Sequence, residues 1–529
     1  MAILLNLKTY HIRKIKNNES ESTLNRRDFL RVILGASGFI GVLPVSCARQ
    51  ITKPGTDSKG AVVKEPGGVL VNDVHTGLNP TLVDRIVYPN SIDSIGETIR
   101  TAHREGKAIC IAGARHAMGA QQFATNGILI DTTAMSRVLN FNPQEGTVEV
   151  EAGIQWPVLI GYLIKAQKNQ PNQWGIAQKQ TADWLSIGGS LGSNVHGHGL
   201  RTKPFIEDVE SFVLIDANGM ELRCSRQENT ELFRLAIGGY GLFGIIYSIT
   251  LRLAPRQKVE RVAEIIGVED LMQAYEERIR DGFLYGTFLY NANPESDDFL
   301  RKGILVYYRP VDTSKPVPDY EEQPSSDKWI NLRYLAHTDK GQYFQKVSRH
   351  YLSTSGNLSW SDTHQMGLYI KGYHHILDQM LGTPESSDIT TEVYVPRGAI
   401  VDFAGEVRED FRKNRVDLIF GDIGIIQRDD ESFLAYAKKN YARMSFNVHT
   451  VHSPEGVERT RQAYRRLIDM AVRRGGSYYL TNHRFATSDQ VKACYPQFQE
   501  FLRLKKKYDP EERFQSDWYR YYKETLAGA

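Results

Sequence analysis

The stretch Gly113-Ala114-Arg115-His116-Ala117-Met118-Gly119 follows the apolar run Lys107–Ala112 and precedes a second run, Gly127–Asp131. A strand that empties into a loop of small residues lets main-chain N–H groups approach an anion closely, because little Cβ bulk stands in the way. A diphosphate is the ligand such a loop suits, and His116 is its chemical handle. The alternative reading, a tight turn carrying a solvated histidine, stands until other segments are weighed.

Two further segments bear on it. Ser186–Gly199 reads SIGGSLGSNVHGHG, five glycines in fourteen residues, and is expected to be neither a packed helix nor an ordinary strand but backbone laid against something flat or anionic. Its His196 and His198 lack a companion Asp, Glu or Cys, so no metal is expected. Glu231–Ile246 contains Gly239-x-Gly241-x-x-Gly244, a formal dinucleotide fingerprint. That fingerprint needs a strand before and a helix after. Here a helix-like stretch, Asn229–Ile237, comes first and a strand-like one, Gly244–Leu253, follows, which excludes a Rossmann site.

The rest of the chain reads as α+β. Helices are expected at Ser91–Glu105, Gln155–Ala166, Glu455–Arg474 and Ser488–Lys507, and strands at Thr147–Ala152 and Ser477–Thr481. Phe212–Ile215 and Met220–Arg223 flank Asp216-Ala217-Asn218-Gly219, where Asn-Gly supplies the positive φ angles of a tight hairpin. Arg309–Asp327, rich in Pro, Ser and acids, reads as a surface loop suited to covering a substrate.

With 529 residues, 41% hydrophobic and 24% charged, the chain is long enough for more than one core. Its net charge of +3 comes from residues 1–48, which carry seven Lys or Arg and three acids. What remains is nearly neutral, with no basic stripe for a nucleic-acid partner. Asn25-Arg26-Arg27-Asp28-Phe29-Leu30, the apolar Val32–Leu43 and Ser46-Cys47-Ala48 resemble a twin-arginine export signal, cleaved, lipidated at Cys47 or kept as an anchor. Membrane contact is expected only through that segment. The four cysteines show no C-x-x-C pair.

In order and spacing across about Arg85–Pro255, the three segments resemble FAD flavoproteins of the vanillyl-alcohol-oxidase type, which share a p-cresol-methylhydroxylase-like FAD domain. Gly113-Ala114-Arg115-His116 resembles the Gly-Thr-Arg-His of bacterial alditol oxidases, whose His is bonded to the flavin. The resemblance implies FAD as cofactor, bonded covalently through His116. It also implies a first loop at the diphosphate (Gly113, Ala114, Arg115, His116, Ala117, Met118, Gly119) and a second along the isoalloxazine and ribityl chain (Ser186, Ile187, Gly188, Gly189, Ser190, Ser193, His196, with Thr181 before it). Gly244 and Ile245 fall at the adenine side, and Tyr479 joins the set. Ala117 departs from the usual Ser. A small residue at Gly188 is associated in the family with oxygen access.

The tail, Gly475–Arg484, Cys494-Tyr495-Pro496 and Tyr508–Asp517, is similar to that of decaprenylphosphoryl-ribose oxidase, but Asn482 stands where that enzyme has a catalytic lysine. Sugar and aldonolactone oxidases place a His and then a Lys there; this chain has His483 and Arg484. The expected architecture is therefore an export signal (1–48), a tether (49–68), a two-part FAD domain (69–255 and 482–529) and an inserted α+β substrate cap (256–481).

Oxidation of a carbinol needs a base, for which a neutral histidine suits. His483 is favoured, then His449, which shares a strand face with Asn447. Glu392 and Arg397 are candidates to hold sugar hydroxyls. The expected partners are a small polyol or sugar substrate and oxygen or an envelope electron acceptor. The alternatives are a lipid-linked sugar oxidase and a flavin-free carbohydrate-binding relative.

Overall fold

In the computed structural model, which describes residues 60–527, three sheets position the site. The first has parallel strands Arg85–Tyr88, Ile128–Asp131 and Ile109–Ala112, with Ala61–Val63 antiparallel at its edge. Helix Ile92–Arg104 covers it through Ile95, Ile99 and Ala102 at helical spacing, and starts at a capping box in which Ser91 and Ser94 satisfy each other's backbone amides. The second sheet is antiparallel, in the order Glu221–Ser225, Val209–Ile215, Ile245–Arg252, Thr147–Glu151, Val138–Asn142. Its Ile215 and Ile245 share a core with Ile109, Ile128 and Ile130 of the first.

The third sheet has nine strands. Its centre pairs Tyr441–Val451 with Ser386–Pro396 along their whole length. Strands alternate their side chains between faces. Ile389, Val393, Val395, Met444, Phe446 and Val448 fall on one face, against helices Ile400–Lys413 and Pro454–Arg473. The other face carries Thr390, Glu392, Arg443, Ser445 and Asn447 toward a large cavity. The tail returns to the first sheet: Ile109 N–H donates to the Arg513 carbonyl at 2.6 Å, Gln515 N–H to the Ile109 carbonyl at 2.8 Å, and Phe514 is fully buried in that core.

Several expectations change. Ile187–Ser193 is a short helix after all, because Ser186 caps it through Gly189 N–H and because Gly188 allows the helix to lie against Ala152, whose carbonyl is 2.8 Å from where a Cβ would stand. The expected helix Ser488–Lys507 is two helices, Ser488–Cys494 and Phe498–Tyr508; Pro496 drives Tyr495 out of the helical region, to φ −134° and ψ 67°. Strand Ser477–Thr481 pairs only at Ser477–Tyr478 before the chain turns toward the cavity. The hairpin forms, but only Gly219 takes a positive φ, since the Asp216 carboxylate accepts from both Asn218 and Met220 N–H and fixes a longer turn. The export-signal residues lie outside the described residues, and no helix among the described residues is long and apolar enough to cross a membrane.

Candidate active site

The three motifs meet at one cavity of ≈ 1370 Å³. That exceeds the few hundred to about 1,000 Å³ of ordinary small-ligand pockets and leaves room for a dinucleotide together with a substrate. Gly113 sets the approach: a Cβ there would stand 2.0 Å from Ser186 Oγ, so only glycine lets the first loop lie against the cap of helix Ile187–Ser193. Arg115 adopts φ 63° and turns its guanidinium back to Asp131, 2.7 Å away, which anchors the loop. Among the described residues, the main-chain N–H groups of Ala114, Arg115, His116 and Ala117 make no hydrogen bond. Four consecutive free amides on a cavity wall are a ready anion cradle, and they fit a flavin diphosphate. The helix amides Ile187, Gly188, Gly189 and Ser190 are by contrast already bonded within the protein.

His116 lies edge-on to Tyr369 with ring centroids 5.4 Å apart. Burial, reinforced by neighbouring His75, lowers its pKa to about 3, so its imidazole is neutral and retains a lone pair. Met118, Thr181, Ser193, His196, Gly244 and Tyr479 also line the cavity. Gly119, Ile187, Ser190 and Ile245 stand behind its wall: Gly119 N–H is held by Gln121, and Ser190 Oγ accepts from the Gln180 amide and the Trp156 indole. Gly188 lines the cavity with backbone only. Its missing side chain would point at Ala152, so its size does not govern access to the cavity.

On the sheet wall, Glu392 Oε2 accepts from His196 Nε2 at 2.8 Å and from the Tyr394 hydroxyl at 2.9 Å. Arg443 Nη1 lies 4.0 Å from Oε1, beyond hydrogen-bond reach, so Oε1 keeps its lone pairs for a ligand. Burial alone would raise the Glu392 pKa; His196, and then Arg443, outweigh it and hold the carboxyl at about 2. Arg443, 2% exposed, donates to Asp422 at 2.6 Å and to His198 Nδ1 at 2.8 Å. Asp422, against the effect of its own burial, is held well below the usual carboxylate range by Arg443. Burial and the same guanidinium lower His198 to about 4. Ser445 and Thr287 also donate to Asp422.

The base candidates from sequence lie elsewhere. His483 stacks on Phe485, buried behind the wall, and burial, with Arg484 adding to it against the pull of Asp73, lowers its pKa to about 4. His449 sits beside Asp388 and not at the cavity. Arg484 donates to the Asp517 carbonyl, and Arg397 lies outside the cavity wall. Asn482 does line the cavity and donates to Thr391 Oγ1 at 3.3 Å. Arg443, Asp422 and Tyr394 were missed. The period-two face through Asn447 and His449, extended backward, reaches Ser445 and Arg443, and that signal was present. Glu321, from the irregular stretch before helix Ser326–Thr338, reaches Arg261 at 2.9 Å at the cavity's edge.

Residues 83–225 match the family described as "FAD binding domain". An L-gulono-1,4-lactone dehydrogenase of Mycobacterium tuberculosis is 22% identical over 436 residues, covering 82% of this chain and 95% of the relative. An uncharacterized oxidoreductase of the fasciation locus of Rhodococcoides fascians is 27% identical, and an L-gulonolactone oxidase of Bos taurus 29% identical. Each of these two matches covers 32% of this chain, and the chain spans 37% of each relative's length. The match, the free-amide cradle and the cavity agree: the chain is an FAD-binding oxidoreductase whose flavin domain is of the p-cresol-methylhydroxylase type.

Proposed function

We propose that the protein oxidises a CH–OH group of a sugar, alditol or aldonolactone, with His116 bonded covalently to the flavin and oxygen or an envelope acceptor taking the electrons. The free Oε1 of Glu392, on a carboxylate held ionised beside neutral and cationic donors, is the observation that carries this reading. A carboxylate oxygen accepts from a substrate hydroxyl. Asn447, which gives one amide proton to the Phe420 carbonyl, keeps a second to donate, and the Thr390 and Ser445 oxygens, whose protons are already given to Asn447 and Asp422, offer acceptors for neighbouring hydroxyls. The flavin, when bound, supplies the hydride acceptor.

This chain's residues orient the carbinol, and Glu392 Oε1 takes its hydroxyl proton as the carbon gives up its hydride. His196 and Tyr394 fix the Glu392 carboxylate through Oε2, and Arg443 balances the local negative charge. The relatives named for lactone oxidation or dehydrogenation support the substrate class. The twin-arginine pattern at Arg26-Arg27 supports export. Anaerobic mixing with L-gulono-1,4-lactone, alditols and hexoses is the test. Bleaching of the flavin absorbance by a member of this panel is expected; bleaching by amines or phenols alone would overturn the reading.

A further inference from the structure

Away from the substrate-facing carboxylate, three side chains that the oxidation does not use converge at one point. Asp388 and His449 are direct cross-strand partners, and they continue the face whose next pairs are Thr390 with Asn447 and Glu392 with Ser445. His337 comes from the last turn of helix Ser326–Thr338. Its Nε2 lies 3.3 Å from Asp388 Oδ2, and His449 Nδ1 lies 3.7 Å from Asp388 Oδ1. All three donor atoms fall within 4.8 Å of one another.

The side chains of His337 and Asp388 are 5% and 1% exposed. Yet His337 Nε2, Asp388 Oδ1 and His449 Nδ1 are each buried without a hydrogen bond. The imidazoles and the carboxylate face one another as ion pairs, but none of the three atoms has an aligned hydrogen bond. A buried polar atom without one costs about 1–3 kcal/mol, and a shared partner between them would satisfy all three. Donors bound at about 2.1 Å to a tetrahedral ion stand roughly 3.4 Å apart, close to the 3.3 Å between His337 and one oxygen of the carboxylate and the 3.7 Å between His449 and the other. The two imidazole rings are nearly perpendicular, with centroids 5.0 Å apart. The Tyr373 hydroxyl donates to Asp388 Oδ2 at 3.4 Å, in the way outer groups orient a ligating carboxylate.

We propose that His337, Asp388 and His449 bind a divalent transition-metal ion of the zinc and iron(II) class, with the remaining positions left to water. Two imidazoles and one carboxylate form a borderline N/O donor set, which disfavours calcium and magnesium. The ion ties helix Ser326–Thr338 to the two strands that build the cavity wall and so holds the register of Thr390 and Glu392. His374, on helix Tyr373–Leu381, likewise has its Nε2 buried without a hydrogen bond.

The test is metal analysis of the full-length flavoprotein by mass spectrometry, before and after chelator dialysis and incubation with zinc or iron(II), with unbound ion removed by gel filtration. One ion per chain is expected for zinc or iron(II), with a higher melting temperature on reloading. Both are expected to be lost in His337→Gln/His449→Gln while flavin content stays intact. If the double variant does not accumulate, single His449→Gln is expected to lower retention at least tenfold. Trace metal in the wild-type protein after incubation with both ions would overturn the proposal. So would retention unchanged in the variants.

Discussion

Replacing Glu392 by Gln tests the proposed role of the carboxylate with the least disturbance of shape. Gln preserves the volume, and its carbonyl oxygen accepts from Tyr394 as Oε2 does now at 2.9 Å. What disappears is the charge, with a pKa of about 2, that makes Oε1 an acceptor for a carbinol O–H. A hydrogen bond to a charged group is worth about 1.5–3 kcal/mol, against about 0.5–1.5 kcal/mol for a neutral one. If that difference is realised as the hydride leaves, about 1.25 kcal/mol is lost at the middle of the two ranges and up to about 2.5 kcal/mol at their extremes, a fall of about eightfold and at most about seventyfold in the reduction rate at 1.36 kcal/mol per decade. Stopped-flow reduction of the flavin under nitrogen reads that rate directly, and flavin content controls for folding. A variant reduced within twofold of wild type, with the same substrate saturation, would refute the role assigned to Glu392.

Arg443→Met removes the cation that Asp422 pairs with at 2.6 Å and leaves a largely buried carboxylate uncompensated. A loss of about 3 kcal/mol is expected in denaturant unfolding, partly restored by Asp422→Asn, and an unchanged midpoint would contradict it. Asp208 lies in a buried site where burial, and then Glu207, raise its pKa to about 7 from 3.8. The folded state therefore keeps its proton where the unfolded state has lost it, so this group's contribution to stability is present below pH 4 and is lost as pH rises toward 7. Asp208→Asn is expected to remove that part of the pH dependence and to stabilise the protein at pH 8 by at most about 4 kcal/mol, measured as thermal unfolding against pH. A variant whose melting temperature follows the wild-type pH profile would contradict it.

The flavin half of the site was legible because its chemistry is written in backbone. Small residues at Gly113–Ala117 leave amides unpaired, and the inverted order of helix, glycines and strand after Asn229 excluded the Rossmann reading without coordinates. The substrate half was less legible because it depends on pairing between distant strands. Glu392 was found, but its neighbours Arg443 and Asp422 reach it only through the register of Tyr441–Val451 with Ser386–Pro396 and Asp422–Ile426. His483 was attractive in sequence because a neutral imidazole suits a base and because it falls near the strand end where the resemblance to sugar and aldonolactone oxidases places a His. The chain instead turns at Tyr479, so that Asn482 faces the cavity and His483 packs behind it. The expectation of no metal rested on the isolated pair His196 and His198. The convergence of His337, Asp388 and His449 comes from a helix and two strands that no local spacing links.

Acid precipitation of the purified protein, followed by flavin fluorescence of pellet and supernatant, tests the central claim about the site most directly. If the Ala114–Ala117 cradle holds FAD with His116 bonded to it, the flavin stays with the pellet and moves to the supernatant in His116→Ala. Release of intact flavin from the wild-type protein would contradict the covalent bond, and a protein that neither carries nor takes up flavin would contradict the account of the site.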